Sequence, residues 1–193
     1  MDINQKITLL KIARKTIELY LEERKKMKVS QDDYSDKEFW EEKGTFVTIT
    51  ENGDLRGCIG TIYPVRPLIL DIIDNSINAA FRDPRFYPLE KEELPLINIE
   101  ISVLSVPEKI HFKDEKELFD IVKPNVHGVI IRKGFYQATF LPQVWEELPK
   151  PEDFFSQLCL KAGLNKNCYK DPTLDVEIYT VEAFSESEIN PKE

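Results

Sequence analysis

The chain has 193 residues, of which 41% are hydrophobic and 32% are charged, and its formal net charge is −9. A chain of this length and apolarity buries a core without covalent staples, so the composition excludes intrinsic disorder. The acidic balance, with no basic cluster beyond residues 24–28, excludes a surface that follows duplex nucleic acid.

The N-terminus and the cysteines indicate a cellular compartment. The first residues are polar, with no apolar signal core, and no apolar run is long enough for a membrane span. The three cysteines, at positions 58, 159 and 168, are odd in number and lack paired spacing. This usage predicts free thiols in a reducing compartment, and therefore a cytoplasmic protein without a membrane segment.

The first half of the chain predicts a helix, a hairpin, a second helix and a strand. Apolar residues three or four apart predict a helix at about 3–28, and the segment before Gly44 predicts a short helix at 36–43. The Asn52-Gly53 turn predicts a hairpin of strands at 45–50 and 55–62. Pro67 precedes a predicted helix at 68–82, and strict alternation predicts a strand at 97–103. A two-residue turn at Asn52-Gly53 would place Ile49 opposite Arg56 and Val47 opposite Cys58.

The second half follows the same order. It predicts strands at 128–134 and 135–141, helices at 143–148 and 151–162, a strand at 174–181, and a frayed tail at 185–193. Pro64 and Glu100 are separated by nearly as many residues as Pro142 and Glu177. The sequence therefore predicts an α+β fold within one domain, residues 1–193. It would contain two similar hairpin-helix-strand halves, about 44–106 and 127–184, that meet at a shared cleft.

Several motifs in chain order resemble one family, the AMMECR domain family, which is named from the human chromosomal region linked to Alport syndrome, midface hypoplasia and elliptocytosis. They are Gly44 to Ile49, Leu55 to Gly60 (LRGCIG), Pro67-Leu68, Asp83 to Phe86, Ile99 to Leu104, His127-Gly128, Leu141 to Val144 and Cys159 to Leu164. They run from about residue 44 to residue 184. Two positions depart from the family pattern: Ala138 stands where glycine is usual, and Tyr169 where tryptophan is common. Ala138 puts in doubt a close backbone approach in the second hairpin.

The resemblance implies a compact two-lobed α+β fold with LRGCIG near a cleft between the lobes. It implies no particular reaction. Some prokaryotic relatives are encoded beside, or fused to, Memo-like and radical-SAM proteins, which implies a functional link to such partners.

The hexapeptide Leu55 to Gly60 carries the main candidate chemistry. Cys58 is a candidate nucleophile if Arg56 lowers its pKa, and otherwise it packs as a small apolar side chain. Arg56 is a candidate ligand for a phosphate or carboxylate, and otherwise pairs with Glu100 or Asp83. Gly57 and Gly60 would let another group approach closely.

Other candidates lie outside the hexapeptide. Asp83 and Arg85 flank Pro84 in a rigid turn, where they either present charges to a ligand or pair with each other. Glu100 and Glu177 occupy corresponding strands as possible acid and base groups, or as solvated residues. His127 is a candidate base or ligand, or a hydrogen-bonded structural residue.

Two functions remain open on this basis. The set Cys58, Cys159, Cys168 and His127 lacks a short ligand pair, and glycine-rich phosphate fingerprints are absent, so neither a metal nor a cofactor is predicted. Spacing alone assembles no complete catalytic set, which favours a module that binds a small anionic ligand or a protein partner. The alternative is an enzyme for a small anionic or nucleotide-like substrate, with Cys58 as nucleophile and His127 or Glu100 moving protons.

Overall fold

The computed structural model of the protein describes residues 1–189 and divides the chain into two compact units. Unit 1 contains residues 1–104 and the chain from Glu182 onward, and unit 2 contains residues 105–181. Each unit holds a four-stranded sheet and helices. The predicted α+β class is confirmed.

Unit 1 begins with a long helix and ends with a short one. Its elements are α1 (Ile3–Glu23), a 3₁₀ helix (Lys37–Trp40), β1 (Gly44–Glu51), β2 (Asp54–Thr61), α2 (Leu68–Phe81), a 3₁₀ turn (Lys91–Glu93), β3 (Ile97–Leu104), β8 (Val181–Ser185) and α6 (Glu186–Ile189). The Asp2 side chain caps the start of α1. The helix ends before the predicted residue 28, because Arg24 takes a left-handed φ of 55°.

The core of unit 1 lies between the sheet and the helices α1 and α2. The sheet order is β2-β1-β3-β8, and β1 pairs antiparallel with both β2 and β3. The β3 residues Ile97, Ile99, Ile101 and Val103 are buried, and they pack with Val47, Ile49 and apolar residues of both helices. The polar alternates, including Glu100, therefore lie on the opposite face of the sheet.

The register of the first hairpin differs from the prediction after its turn. Thr50 pairs with Leu55 as expected, but a bulge follows, so that Ile49 pairs with Gly57 and Thr48 with Cys58. The predicted pairs Ile49 with Arg56 and Val47 with Cys58 are therefore wrong. One extra residue in β2 moves Cys58 to the face opposite the buried Val47 and Ile49.

Unit 2 is built around an aromatic core. Its elements are β4 (Glu108–Ile110), α3 (Glu115–Ile121), β5 (Gly128–Lys133), β6 (Tyr136–Phe140), α4 (Val144–Glu147), α5 (Pro151–Lys161), a 3₁₀ turn (Cys168–Lys170) and β7 (Asp175–Tyr179). The sheet order is β4-β7-β5-β6. Trp145 stacks on Phe154 at 3.6 Å between ring centroids, and both are buried. Stacked aromatic rings contribute much of the packing energy of such a core.

A disulfide joins Cys159 at the end of α5 to Cys168, with their Cα atoms 5.9 Å apart. The prediction of three free thiols is therefore wrong, because the fold brings together two cysteines that are nine residues apart in sequence. Cys58 is the free cysteine of the described residues. With two of three cysteines bonded, cysteine usage no longer supports a reducing compartment.

The two units share one arrangement of strands. In each, the first strand of a hairpin pairs with the second and, on its other side, with the strand that follows a helix. An internal duplication stays a prediction from sequence spacing. The predicted frayed tail is wrong for residues 185–189, which end β8 and form α6, while 190–193 lie outside the described residues. Within residues 1–189, no helix has the length and apolarity needed to cross a bilayer.

Candidate functional site

The hexapeptide forms an edge strand that is sealed by the loop after α2. Strand β2 has β1 on one side only, so its outward backbone groups need other partners. The Cys58 N–H donates to Asp83 Oδ2 at 2.9 Å, and the Cys58 carbonyl accepts from Arg85 Nη2 at 3.1 Å. Asp83 and Arg85 thus substitute for a neighbouring strand at Cys58.

Asp83 and Arg85 also bind each other. Arg85 Nε and Nη2 donate to the two Asp83 oxygens at 3.0 and 2.6 Å. The backbone N–H of Arg85 also donates to Asp83 Oδ1, at 3.1 Å. The Asp83 side chain is 1% exposed, whereas that of Arg85 is 53% exposed. The Arg85 guanidinium and the amide of Cys58 hold the pKa of Asp83 well below its usual range.

Arg56 pairs with a carboxylate that sequence reasoning missed. Its Nε and Nη2 donate to the two oxygens of Glu93 at 2.6 and 3.0 Å, and its Nη1 donates to the Tyr87 carbonyl at 2.9 Å. The Arg56 hydrogen bonds lower the pKa of Glu93. The predicted partners Glu100 and Asp83 are therefore wrong. Glu93 lies in a 3₁₀ turn far along the chain, and no local pattern connects it to Arg56.

The glycines of the hexapeptide make room for the protein itself. A Cβ at Gly57 would overlap the Ala79 carbonyl oxygen of α2, and one at Gly60 would overlap the Phe46 ring. The close approach predicted at these positions is thus made by a helix and by a ring. A role for Gly57 and Gly60 in ligand binding stays a prediction.

Cys58 and Glu100 lie on the same face of the unit 1 sheet, on either side of Thr48. Thr48 pairs with Cys58 on one strand and with Glu100 on the other, and its hydroxyl donates to the Cys58 sulfur at 3.3 Å. Burial, reinforced by Glu188, raises the pKa of Glu100. Thr48 was missed from the sequence, because the bulge that places it opposite Cys58 was not predicted.

His127 and Glu177 belong to unit 2. His127 Nδ1 accepts from the Lys123 N–H at 3.1 Å, and its carbonyl accepts from Trp145 Nε1 at 2.8 Å. Burial and nearby Lys123 lower the pKa of His127, which favours the neutral imidazole. Glu177 lies 4.0 Å from Arg132 Nη2. These contacts give both residues roles inside their own unit.

A second polar group that sequence reasoning missed is buried beside the first hairpin. Thr45 Oγ1 donates to Asp71 Oδ2 at 2.6 Å, and Asn75 Nδ2 donates to the same oxygen at 3.0 Å. Asp71 Oδ1 lies 3.2 Å from Arg66 Nε and accepts no hydrogen bond within residues 1–189. Burial raises the pKa of Asp71. An Asp and an Asn one turn apart, among the Leu, Ile and Ala residues of α2, are the sequence signal for this network.

The geometry holds no metal centre among residues 1–189, where no cluster of three or more histidine, cysteine or acidic side chains could bind an ion. Residues 10–184, which span both units, match the family model described as AMMECR1. This chain belongs to the AMMECR1 family.

Archaeal relatives in this family align along nearly the whole chain. A Methanosarcina mazei protein is 42% identical, covering 93% of this chain and 90% of its own. A Nanoarchaeum equitans protein is 39% identical, covering 93% and 99%. The crystal structure of the uncharacterized protein PH0010 from Pyrococcus horikoshii is similar, with a TM-score of 0.85 and 37% identity over 93% of this chain and 90% of that one.

Proposed function

We propose that this AMMECR1-family chain is a binding module that accepts an anionic group beside the LRGCIG strand, with Arg85 as the receiving side chain. The supporting observation is the state of the Arg85 guanidinium. Nε and Nη2 are fixed by Asp83 and by the Cys58 carbonyl, whereas Nη1 has no hydrogen bond among the described residues. A guanidinium fixed at Nε and Nη2, with Nη1 open, can donate to one oxygen of a carboxylate or phosphate without reorganising.

The loop around Arg85 is held at both ends, which suits a recognition surface. Asp83 anchors its start, and the Leu89 N–H donates to the Ala80 carbonyl at 2.8 Å. Between these anchors Tyr87 is 90% exposed. Exposed tyrosine and arginine on a rigid loop are residue types that contribute strongly to binding, because little conformational freedom is lost.

Arg56, the main ligand candidate from the sequence, is less available to bind an anion than Arg85, which was also a candidate. Its side chain is 15% exposed, and its Nε, Nη1 and Nη2 are already engaged. A ligand at Arg56 would have to displace Glu93. The proposed role of Arg56 is therefore to hold the loop in place, and Arg85 takes the ligand.

Titration with inorganic phosphate, followed by amide NMR spectra, tests the proposal. We expect saturable shifts at the amides of Cys58, Arg85 and Tyr87, with a dissociation constant of about 1 to 10 mM for a single open guanidinium nitrogen. Arg85→Gln should abolish them.

The matched control is Arg82→Gln, which removes an exposed arginine from the same loop. Arg82→Gln should leave the phosphate shifts unchanged. Unaltered phosphate binding in a folded Arg85→Gln variant would refute the proposal.

The row Cys58, Thr48 and Glu100 supports a second candidate, an enzyme with Cys58 as nucleophile. A hydroxyl that donates to the sulfur would stabilise a thiolate, and a carboxyl with raised pKa is suited to proton transfer. Glu100 is two strands from Cys58, roughly 10 Å, so a substrate or water would have to bridge them.

Iodoacetamide labelling at pH 7 separates the two candidates, since Cys58 is the free cysteine of the described residues. A binding module predicts slow labelling that accelerates on unfolding. Labelling of the folded protein faster than of the unfolded chain, slowed by Thr48→Val, would instead support the enzyme.

A further inference from the structure

Unit 1 contains a cavity that lies apart from the hexapeptide. Its volume is about 1000 Å³, and α1, the Asn52-Gly53 turn, the chain before β3 and helix α6 line it. Much of its wall is apolar, formed by Ile7, Leu94, Leu96 and Ile189. This volume falls at the upper end of the range for small-molecule sites.

Arg14 lines the cavity, and each of its guanidinium nitrogens donates a hydrogen bond within the protein. Its Nη2 donates to Glu186 Oε2 at 2.6 Å and to the Ile97 carbonyl at 3.0 Å, and its Nη1 donates to the Leu94 carbonyl at 3.0 Å. The Glu186 hydrogen bonds raise the pKa of Arg14. The pair ties α6 to α1, and it leaves little charge to offer a ligand.

Two lysines on the rim have no such partner. Lys11 and Lys15 lie one turn apart on α1, both exposed, and neither side chain forms an ion pair or hydrogen bond among the described residues. Glu18 is the remaining charged residue of the lining outside the Arg14–Glu186 pair. The free charge of the rim is therefore positive, although the chain carries a net charge of −9.

We infer that this cavity binds a small amphipathic carboxylate, with its apolar body against the wall and its carboxylate between Lys11 and Lys15. The apolar wall supplies the affinity, because burying each methylene is favourable. The lysines supply the preference for negative charge, since they attract a carboxylate and repel an ammonium group. The site is separate from the Arg85 surface, and it holds or fails independently of that proposal.

Paired probes of equal length and opposite charge test the inference. The probes are octanoate and octylammonium, which are matched in overall chain length; each is titrated into the full chain and followed by amide NMR spectra. We expect octanoate to shift the amides of Lys11, Lys15 and Leu96 saturably, and to bind at least about tenfold more tightly than octylammonium or butanoate.

Charge reversal distinguishes a specific binding site from nonspecific hydrophobic binding. The variant Lys11→Glu with Lys15→Glu should invert the preference, so that octylammonium binds more tightly than octanoate. The matched control, Lys28→Glu with Lys116→Glu, makes the same change in net charge at exposed positions outside the cavity and should bind like the wild type.

The apolar wall has its own variant. Leu96→Gln, at a half-exposed position, should weaken octanoate in the wild type and octylammonium in the reversed variant alike. Equal binding of the two probes to the wild type, absence of shifts at the cavity, or an equal effect of the control variant would each overturn the inference.

Discussion

The two hairpins of the molecule occupy equivalent places in the strand order of their sheets but are packed differently. In unit 1, β2 carries a bulge, two glycines and a sealed outer edge at Cys58. In unit 2, β5 and β6 pair without a register shift, from Lys133 with Tyr136 to Val129 with Phe140. The same order of strands therefore accommodates different side-chain contacts in the two units. The polar contacts that surround LRGCIG are a feature of the first hairpin.

The largest expected effect is that of Gly57→Ala in the first hairpin, for which Gly128→Ala in the second hairpin is the comparison. The Cβ of Gly57→Ala would overlap the Ala79 backbone, so α2 has to shift, and we expect a loss of about 3 kcal/mol or more in unfolding free energy. The Cβ of Gly128→Ala would meet the outer end of the Tyr179 ring, which is a side chain, for a loss of about 1 to 2 kcal/mol. Urea unfolding measures both.

Equal losses for the two variants would contradict the distinction between a backbone neighbour and a side-chain neighbour. Tyr179 supplies a second readout. Its hydroxyl lies 2.8 Å from Thr139 Oγ1, and burial raises its pKa to about 12. A shifted ring in Gly128→Ala should change the pH at which its phenol ionises, and Gly57→Ala should not.

The Cys159–Cys168 disulfide lies within unit 2. A covalent link between residues nine apart closes a short loop, and its removal should cost about 2.5 kcal/mol from the restored entropy of the unfolded chain. Cys159→Ala with Cys168→Ala tests this without leaving polar groups in a buried place. Hydrogen exchange should accelerate in residues 128–179 and stay nearly unchanged in residues 44–104.

An equal acceleration in both segments would show that the units unfold together. Chemical reduction of the wild-type protein is the matched treatment, because Cys58 is already free. It should reproduce the exchange pattern of the double variant.

The elements of the chain were largely predictable, whereas the site contacts were not. Alternation in β3 and the Asn-Gly turn are local signals, so strands and hairpins followed from them. The bulge, the Arg56–Glu93 pair and the Cys159–Cys168 bond each depend on where distant segments meet. A single extra residue in β2 reversed the face of Cys58, because side chains alternate along a strand.

The contacts of Asp83 with Arg85 and with the Cys58 amide should make unit 1 sensitive to acid. The pKa of Asp83 is lowered in the folded protein, whereas the pKa of an aspartate in the unfolded chain is about 3.9. Between those two pKa values the unfolded chain binds more protons than the folded protein. The contribution of Asp83 to the unfolding free energy is therefore fully present above about pH 4, and it declines as the pH falls toward the folded pKa.

The Asp83→Asn variant isolates this contribution. It should lose about 2 kcal/mol in unfolding free energy at pH 7, because a buried partner of Arg85 and of the Cys58 amide loses its charge. The difference from wild type should narrow at pH 2. Asp175→Asn, which removes an exposed partner of Lys109 in unit 2, should have a clearly smaller effect at pH 7. A difference that stays constant from pH 7 to pH 2 would show that Asp83 acts by shape and not by charge.

The smallest expected effect is a difference in coupling energy between two ion pairs, one formed by an arginine of each hairpin. Arg56 and Glu93 are mostly buried and share two hydrogen bonds, so a double-mutant cycle with Arg56→Ala and Glu93→Ala should give a coupling of about 1 kcal/mol. Arg132 and Glu177 are 4.0 Å apart with Arg132 39% exposed, and their cycle should give about 0.3 kcal/mol. Arg56→Lys should keep less than half of the first coupling, because an ammonium cannot make the paired contact. Equal couplings in the two hairpins would mean that the Arg56–Glu93 geometry adds nothing beyond ordinary surface attraction, and the fixed loop on which the Arg85 proposal depends would then need another anchor.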